Sequence, residues 1–227
     1  MSAELPADLL IEVQGRIESR YALDPGEPVT DFLIPESEAR AYPGQGSRTL
    51  MREEGDSLSL AVVLEPAVAE RLVETDPRVR LDSGNLNAFC TLIEEVSHFV
   101  YLLFCARVVR SITELELELQ GEVDKYLTAA SLLSLQNEGA LSPGLRAALF
   151  RQYHLREDVS AGRAERYRAA SDMAFRYCGF GGLGRWRCGL HYGGLLRGRR
   201  ICLLCGCGGA GDANALFAFA DFQFGNT

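Results

Sequence analysis

The chain has 227 residues, a formal net charge of −8 and 47% hydrophobic residues, which is enough apolar material for one large or two small domains. No apolar run reaches the roughly 18 to 20 uncharged residues of a membrane span, and the N-terminus lacks the basic start of a signal peptide, so we expect a cytoplasmic protein with no membrane partner. Residues 1–178 carry 18 basic and 29 acidic side chains, which excludes nucleic acid as the main partner.

The N-terminal third of the sequence predicts one helix and one small sheet. Residues 6–21 place apolar side chains at helical spacing and begin with a proline, which suits a first turn. A turn-rich segment follows, and the apolar run at residues 29–34 suggests a short strand within it. Residues 48–64 alternate apolar and polar side chains on both sides of Glu54-Gly55-Asp56, which predicts a β-hairpin.

The rest of residues 1–178 predicts helices. Pro66 opens a short helix that ends near Asp76. From Ser83 to about Arg110, apolar residues recur every three or four positions, which predicts a long buried helix. Residues 111–135 are rich in helix-forming Glu, Leu and Gln, and Ser111 or Thr113 can cap them.

Two further helices are predicted after a stop at residues 137–139. They cover residues 142–153 and 156–178. In the second, the inward set comprises Val159, Tyr167, Ala170, Ala174 and Tyr177. The predicted fold class is therefore α+β and mostly helical: a small N-terminal antiparallel sheet followed by a helical core, forming a single domain over residues 1–178.

Residues 179–227 form a tail of different composition. Of residues 179–211, 12 are glycine and four are cysteine, and none is Asp, Glu or Lys. One interpretation is a zinc knuckle, because pairs of ligands two residues apart can hold a tetrahedral ion. Its ligands would be Cys188, His191, Cys202 and Cys205. The other is a poorly ordered, frameshift-derived segment, because a shifted frame in a GC-rich gene yields Gly, Arg and Cys codons. A single lysine, Lys125, beside 22 arginines indicates such a genome.

The predicted long helix contains an unusual polar group in the stretch LIEEVSHFVYLLF. Glu94 and His98 stand four residues apart and therefore share one helix face. This is the spacing at which two side chains of one helix hold a metal ion in H-E-x-x-H, where the glutamate after the first ligand is the general base. Glu95 has that position here. A di-iron helical bundle would need a second Glu-x-x-His, which the sequence lacks.

With the segment LELQGEVDKYLTA at residues 117–129, the helix resembles minimal gluzincin-type metallopeptidases, most closely the ImmA/IrrE type, over residues 48–135. The resemblance implies metal ligation by Glu94, His98 and either Glu118 or Glu122, with Glu95 as the base. The metal would be Zn, Mn or Fe. The implied surrounding polar residues are Gln120, Asp124 and Tyr126. The sequence departs from the pattern at Glu94, where a histidine is expected, and at Gln120, where a third ligand is expected.

Three functions follow from these patterns. The first is a non-catalytic or degenerate metallopeptidase-like bacterial protein, because a histidine in an apolar helix is more often a satisfied core residue than a ligand. The segments EEVSHFVYLL and LELELQGEVDKYL also resemble an uncharacterised bacterial family. The second is an active metal-dependent hydrolase, and the third is a metal-binding interaction module in the tail. A protein partner or a homo-oligomer stays open.

Overall fold

The computed structural model describes residues 7–24, 26–54, 57–140, 142–152 and 160–179. The predicted zinc-knuckle ligands Cys188, His191, Cys202 and Cys205 lie outside this range, as does Val159. Within it the fold is α+β and mostly helical, as predicted. A two-stranded antiparallel sheet lies on the N-terminal side of a helical core.

Seven α-helices and one hairpin make up the described fold. The helices are α1 (Ala7–Arg20), α2 (Glu36–Ala39), α3 (Pro66–Glu74), α4 (Leu86–Arg107), α5 (Glu114–Gln136), α6 (Leu145–Arg151) and α7 (Ala161–Tyr177). The strands are β1 (Arg48–Glu54) and β2 (Ser57–Val63), which pair from Arg48–Val63 at one end to Glu54–Ser57 at the other. The predicted hairpin and the predicted helices are therefore confirmed to within about three residues at the ends that lie among the described residues.

Helix α4 is the centre of the fold. Its apolar side chains Leu92, Ile93, Val96 and Phe99 are completely buried, and α1, α3, α5 and the hairpin all contact it. It is the one helix of the described segments that is long and apolar enough to cross a membrane, but 78% of its apolar window is buried inside the protein. Helix α4 is thus buried in the way that the core helix of a soluble protein is.

Helix α5 runs antiparallel to α4. Its start is fixed by a capping box, in which the Thr113 side chain accepts a hydrogen bond from the Glu116 backbone and the Glu116 carboxylate accepts one from the Thr113 backbone. This satisfies backbone N–H groups that the first helical turn would otherwise leave open. Hydrogen bonds then join Ser97 to Asp124 and Glu94 to Lys125, and the His98 ring lies close to the backbone of Gly121. The polar faces of α4 and α5 therefore meet along their middle turns.

Two local predictions were wrong. Residues 29–34 form a 3-10 turn (Val29–Phe32) followed by a single bridge from Leu33 to Val62, rather than a strand. Pro28 removes a backbone donor and fixes the local φ, which favours a turn. Tyr177 was expected to face inward but is 36% exposed, whereas Ala170 and Ala174 on the same helix are fully buried.

Helices α6 and α7 cover the outer side of α5. Phe150 of α6 is buried among Leu119, Val123 and Leu127 of α5, and Ala170 and Ala174 of α7 join the same apolar cluster. The small alanine side chains allow α7 to approach α5 closely. One face of α7 therefore lies against the apolar face of α5.

Candidate metal centre

Three side chains from α4 and α5 converge in the core of the described structure. Glu94, His98 and Glu118 each offer one ligand atom, and these atoms lie within 4.8 Å of one another. Ligands of a bound ion lie about 3 Å apart, given metal–ligand bonds of about 2.1 Å. Small rotations of the two glutamate side chains would close this difference. The sequence proposed Glu118 and Glu122 as alternatives for the third position, and Glu118 is the one in this group.

The imidazole of His98 is buried, with 9% of its side chain exposed, and its Nε2 atom has no hydrogen-bond partner among the described residues. Gly121 of α5 makes room for it. A Cβ atom at position 121 would lie 2.9 Å from Nε2 and 3.4 Å from Cγ of Glu94. A buried polar nitrogen without a partner loses the hydrogen bonds it would make to water. Nε2 thus has an unused lone pair or N–H group beside two carboxylates.

The opposite edge of the imidazole faces Glu95. Its Nδ1 lies 3.8 Å from Oε2 of Glu95, and the Thr49 hydroxyl of β1 donates a 2.9 Å hydrogen bond to that same oxygen. A histidine that ligates a metal commonly presents its other nitrogen to a carboxylate, which fixes the ring orientation. Glu95 therefore faces the Nδ1 edge of the ring and accepts a hydrogen bond from Thr49; the sequence expectation was that it acts as the general base.

Glu122 lies in a separate contact with Lys125. The ammonium Nζ donates to Oε1 of Glu122 at 2.8 Å and to Oε2 of Glu94 at 2.9 Å. The Lys125 side chain is only 14% exposed. Lys125 is thus a buried cation that joins α4 to α5, and Glu94 belongs both to this ion pair and to the group of three.

The pKa values follow from crowding of carboxylates in this region. Burial is the main cause that raises the pKa of Glu118 to about 7, and the nearby charge of Glu94 adds to it. Burial works to lower the pKa of His98, but Glu95, Glu118 and Glu94 outweigh it and raise that pKa to about 9. Glu94 has a lowered pKa because Lys125 and His98 overcome its burial. The carboxylates therefore favour positive charge on the His98 imidazole and on Lys125.

Gln120 and Asp124 belong to a different network from the one expected. The carboxylate of Asp124 is fully buried and accepts hydrogen bonds from Arg20 at 2.8 Å, from Tyr21 at 2.8 Å and from Ser97 at 2.7 Å. Gln120 donates a fourth, at 2.8 Å. This network ties α1 to α4 and α5, and because four donors surround the carboxylate it has a structural role.

The remaining wall of the centre comes from α7. Arg163 donates a 3.1 Å hydrogen bond to the Tyr167 hydroxyl, and both side chains interact electrostatically with Glu118. Tyr126, which the resemblance placed beside the ligands, instead packs its ring 5.8 Å from that of Phe150. It therefore belongs to the apolar cluster under α6.

Sequence reasoning missed Gly121, Thr49, Arg163 and the burial of Lys125. A glycine inside a strong helical pattern was the available signal for Gly121, because such a glycine is costly unless a close contact needs it. The contributions of Thr49 and Arg163 depend on how the hairpin and α7 pack, and no local pattern reports that.

Comparisons with protein-family models, with curated proteins and with solved structures found no match to this chain.

Proposed function

We propose that this chain is a non-catalytic metal-binding protein of the bacterial cytoplasm, and that Glu94, His98 and Glu118 hold one divalent transition-metal ion. The observation that carries the proposal is the buried Nε2 of His98, which lacks a partner and lies beside two carboxylates. A bound cation would give this nitrogen a partner and offset the crowded negative charge.

The donor set favours Mn²⁺, Fe²⁺ or Zn²⁺. One imidazole with two carboxylates suits borderline and hard divalent ions, whereas the absence of a thiolate from this set disfavours copper(I). Three protein ligands leave room for water at the remaining coordination positions. The arrangement therefore supports reversible binding of an ion.

The hydrolase alternative has less support. It requires a free carboxylate that takes a proton from a metal-bound water, but Glu95 is engaged by Thr49 and faces the Nδ1 edge of His98. We therefore assign Glu95 to orienting the imidazole. In this respect the chain is similar to a metallopeptidase that has kept a metal site and lost its base.

Elemental analysis tests the proposal on the full-length protein. After treatment with a chelator and dialysis against Mn²⁺ or Zn²⁺, we expect about one equivalent in the wild type and none in His98→Ala or Glu118→Gln. Glu114→Gln is the matched control, because Glu114 precedes Glu118 by one turn on α5 and pairs with Arg166. It should keep the metal.

Other outcomes would contradict the proposal. A folded wild type that binds no metal would leave the centre as a purely structural polar cluster. Metal that persists in His98→Ala but is lost in the full-length double variant Cys202→Ser/Cys205→Ser would assign binding to the tail. Hydrolysis of a reporter peptide or ester that depends on His98 and Glu95 would support the hydrolase alternative instead.

A further inference from the structure

The buried ion pair of Lys125 lies directly beside the proposed metal. Its Nζ atom is held between Oε2 of Glu94 and Oε1 of Glu122, at 2.9 and 2.8 Å, with one carboxylate from each helix. Two carboxylates within hydrogen-bond distance favour the charged form of the ammonium group. Lys125 is therefore a permanent cation.

Glu94 connects this cation to the metal centre. Its carboxylate offers a ligand atom to the group with His98 and Glu118, and it also accepts the hydrogen bond from Lys125. A carboxylate shared between two cations is the arrangement by which proteins hold two metal ions side by side, about 3.5 to 4 Å apart. Here the second cation is an ammonium group.

Glu122 has unused capacity as a ligand. Its side chain is 8% exposed, and its Oε2 atom accepts no hydrogen bond from the residues that the structure describes. The Ser171 hydroxyl lies close enough to help stabilise the charge of Glu122, but it does not reach hydrogen-bond geometry with Oε2. Replacing the ammonium with a metal ion would draw the flanking oxygens inward by about 0.7 Å, given metal–oxygen bonds of about 2.1 Å.

The ion pair between Arg20 of α1 and Asp124 of α5 is a structural pair with which the Lys125 pair can be compared. Asp124 is surrounded by four donors and is fully buried. Glu122 accepts a hydrogen bond from Lys125 and is assisted by Ser171, and its Oε2 atom has no hydrogen-bond partner among the described residues. The pocket around Lys125 therefore has a carboxylate oxygen available to bind a cation. The carboxylate of Asp124, in contrast, is already fully hydrogen-bonded.

We propose that Lys125 is a built-in second cation, which fills a pocket between Glu94 and Glu122 that would otherwise bind a second divalent ion and so restricts the centre to one metal. This inference rests on the proposed function, because the first metal must bind at Glu94, His98 and Glu118. It makes Lys125 the residue that determines metal stoichiometry.

Metal stoichiometry of full-length variants tests this. After incubation with excess Mn²⁺ and removal of unbound ion, we expect one equivalent in the wild type and two in Lys125→Ala. Lys125→Ala/Glu122→Gln should return to one equivalent, because the second pocket loses a ligand. Arg20→Ala is the matched control. It removes the basic partner of Asp124, another buried acid of α5, and the variant should still bind one equivalent.

Thermal unfolding tests the inference even if Lys125→Ala is less stable than the wild type. Without the ammonium, Glu94 and Glu122 repel each other, so the variant should have a lower Tm in chelator and a larger Mn²⁺-induced rise in Tm than the wild type. A variant that Mn²⁺ does not stabilise beyond the wild-type shift overturns the inference.

The two proposals fail in distinguishable ways. One equivalent in both wild type and Lys125→Ala overturns the role of Lys125 and leaves the metal site intact. Two equivalents in the wild type also overturn it, because Lys125 would then not exclude the second ion. No metal in the wild type overturns the proposed function, and this inference falls with it.

Discussion

Gly121→Ala is a sharp test of the centre, because it sets helix stability against the position of His98. In an exposed helix interior this substitution stabilises a protein by about 0.5 to 1 kcal/mol. At position 121, however, the new Cβ would lie 2.9 Å from Nε2 of His98. Ordinary van der Waals contact begins at about 3.4 Å, so the imidazole must move by roughly 0.5 Å, and overpacking of this kind costs about 1 to 3 kcal/mol.

We therefore expect Gly121→Ala to change the free energy of unfolding by between roughly 0 and −2.5 kcal/mol, the sum of those two effects. Metal affinity should fall at least about tenfold, because a displacement of about 0.5 Å is enough to spoil a ligand position. Urea unfolding and a Mn²⁺ titration measure the two quantities. Gly15→Ala in α1 is the control, since nothing lies within 4 Å of its Cβ position, and it should stabilise without affecting metal binding. If Gly121→Ala matched Gly15→Ala in both assays, the close approach of His98 would have no consequence.

Three further predictions concern pH, the buried network and a strained residue. Metal must displace the proton of His98, whose pKa is raised to about 9, and at lower pH also that of Glu118, at about 7. Metal affinity should therefore fall about tenfold per pH unit from pH 9 to pH 7 and more steeply below pH 7. Calorimetry in different buffers measures the proton release. A metal affinity that does not change with pH would exclude His98 as a ligand. Asp124→Ala should cost about 3 to 5 kcal/mol in urea unfolding, because Arg20 loses its partner, yet keep one metal equivalent; a loss below about 1 kcal/mol would contradict the network's structural role. Val109 is 94% exposed and has a φ of 51°, a strained value for a valine, so Val109→Gly should raise the free energy of unfolding by about 1 kcal/mol. The neighbouring control Val108→Gly, at a φ of −99°, should not raise it.

The helices were predictable because their signals are local. Periodic apolar residues identified α4, and Ser111 or Thr113 was the expected cap of α5, of which the structure uses Thr113. The spacing of Glu94 and His98 placed them on one face before any packing was known. What these patterns report is the face of a single helix, and that much of the candidate centre was available from the sequence.

The choice between Glu118 and Glu122 was not available from the sequence. The two are four residues apart, so they lie on the same face of α5 and fit the pattern equally well. The packing decides between them, because Lys125 engages Glu122. A lysine is among the residues least often buried, and its role here depends on a carboxylate from α4 that is 31 positions away. Contacts of this range come from tertiary packing, which a local pattern does not encode.

Lys125 is the single lysine of the chain, and its amine lies between two packed helices. Since the side chain is only 14% exposed, a reagent that acylates primary amines should modify it much faster when α4 and α5 separate. The protein thus carries its own probe of local opening: the rate of acylation at one position, read by mass spectrometry, follows how often the central helix pair comes apart under native conditions.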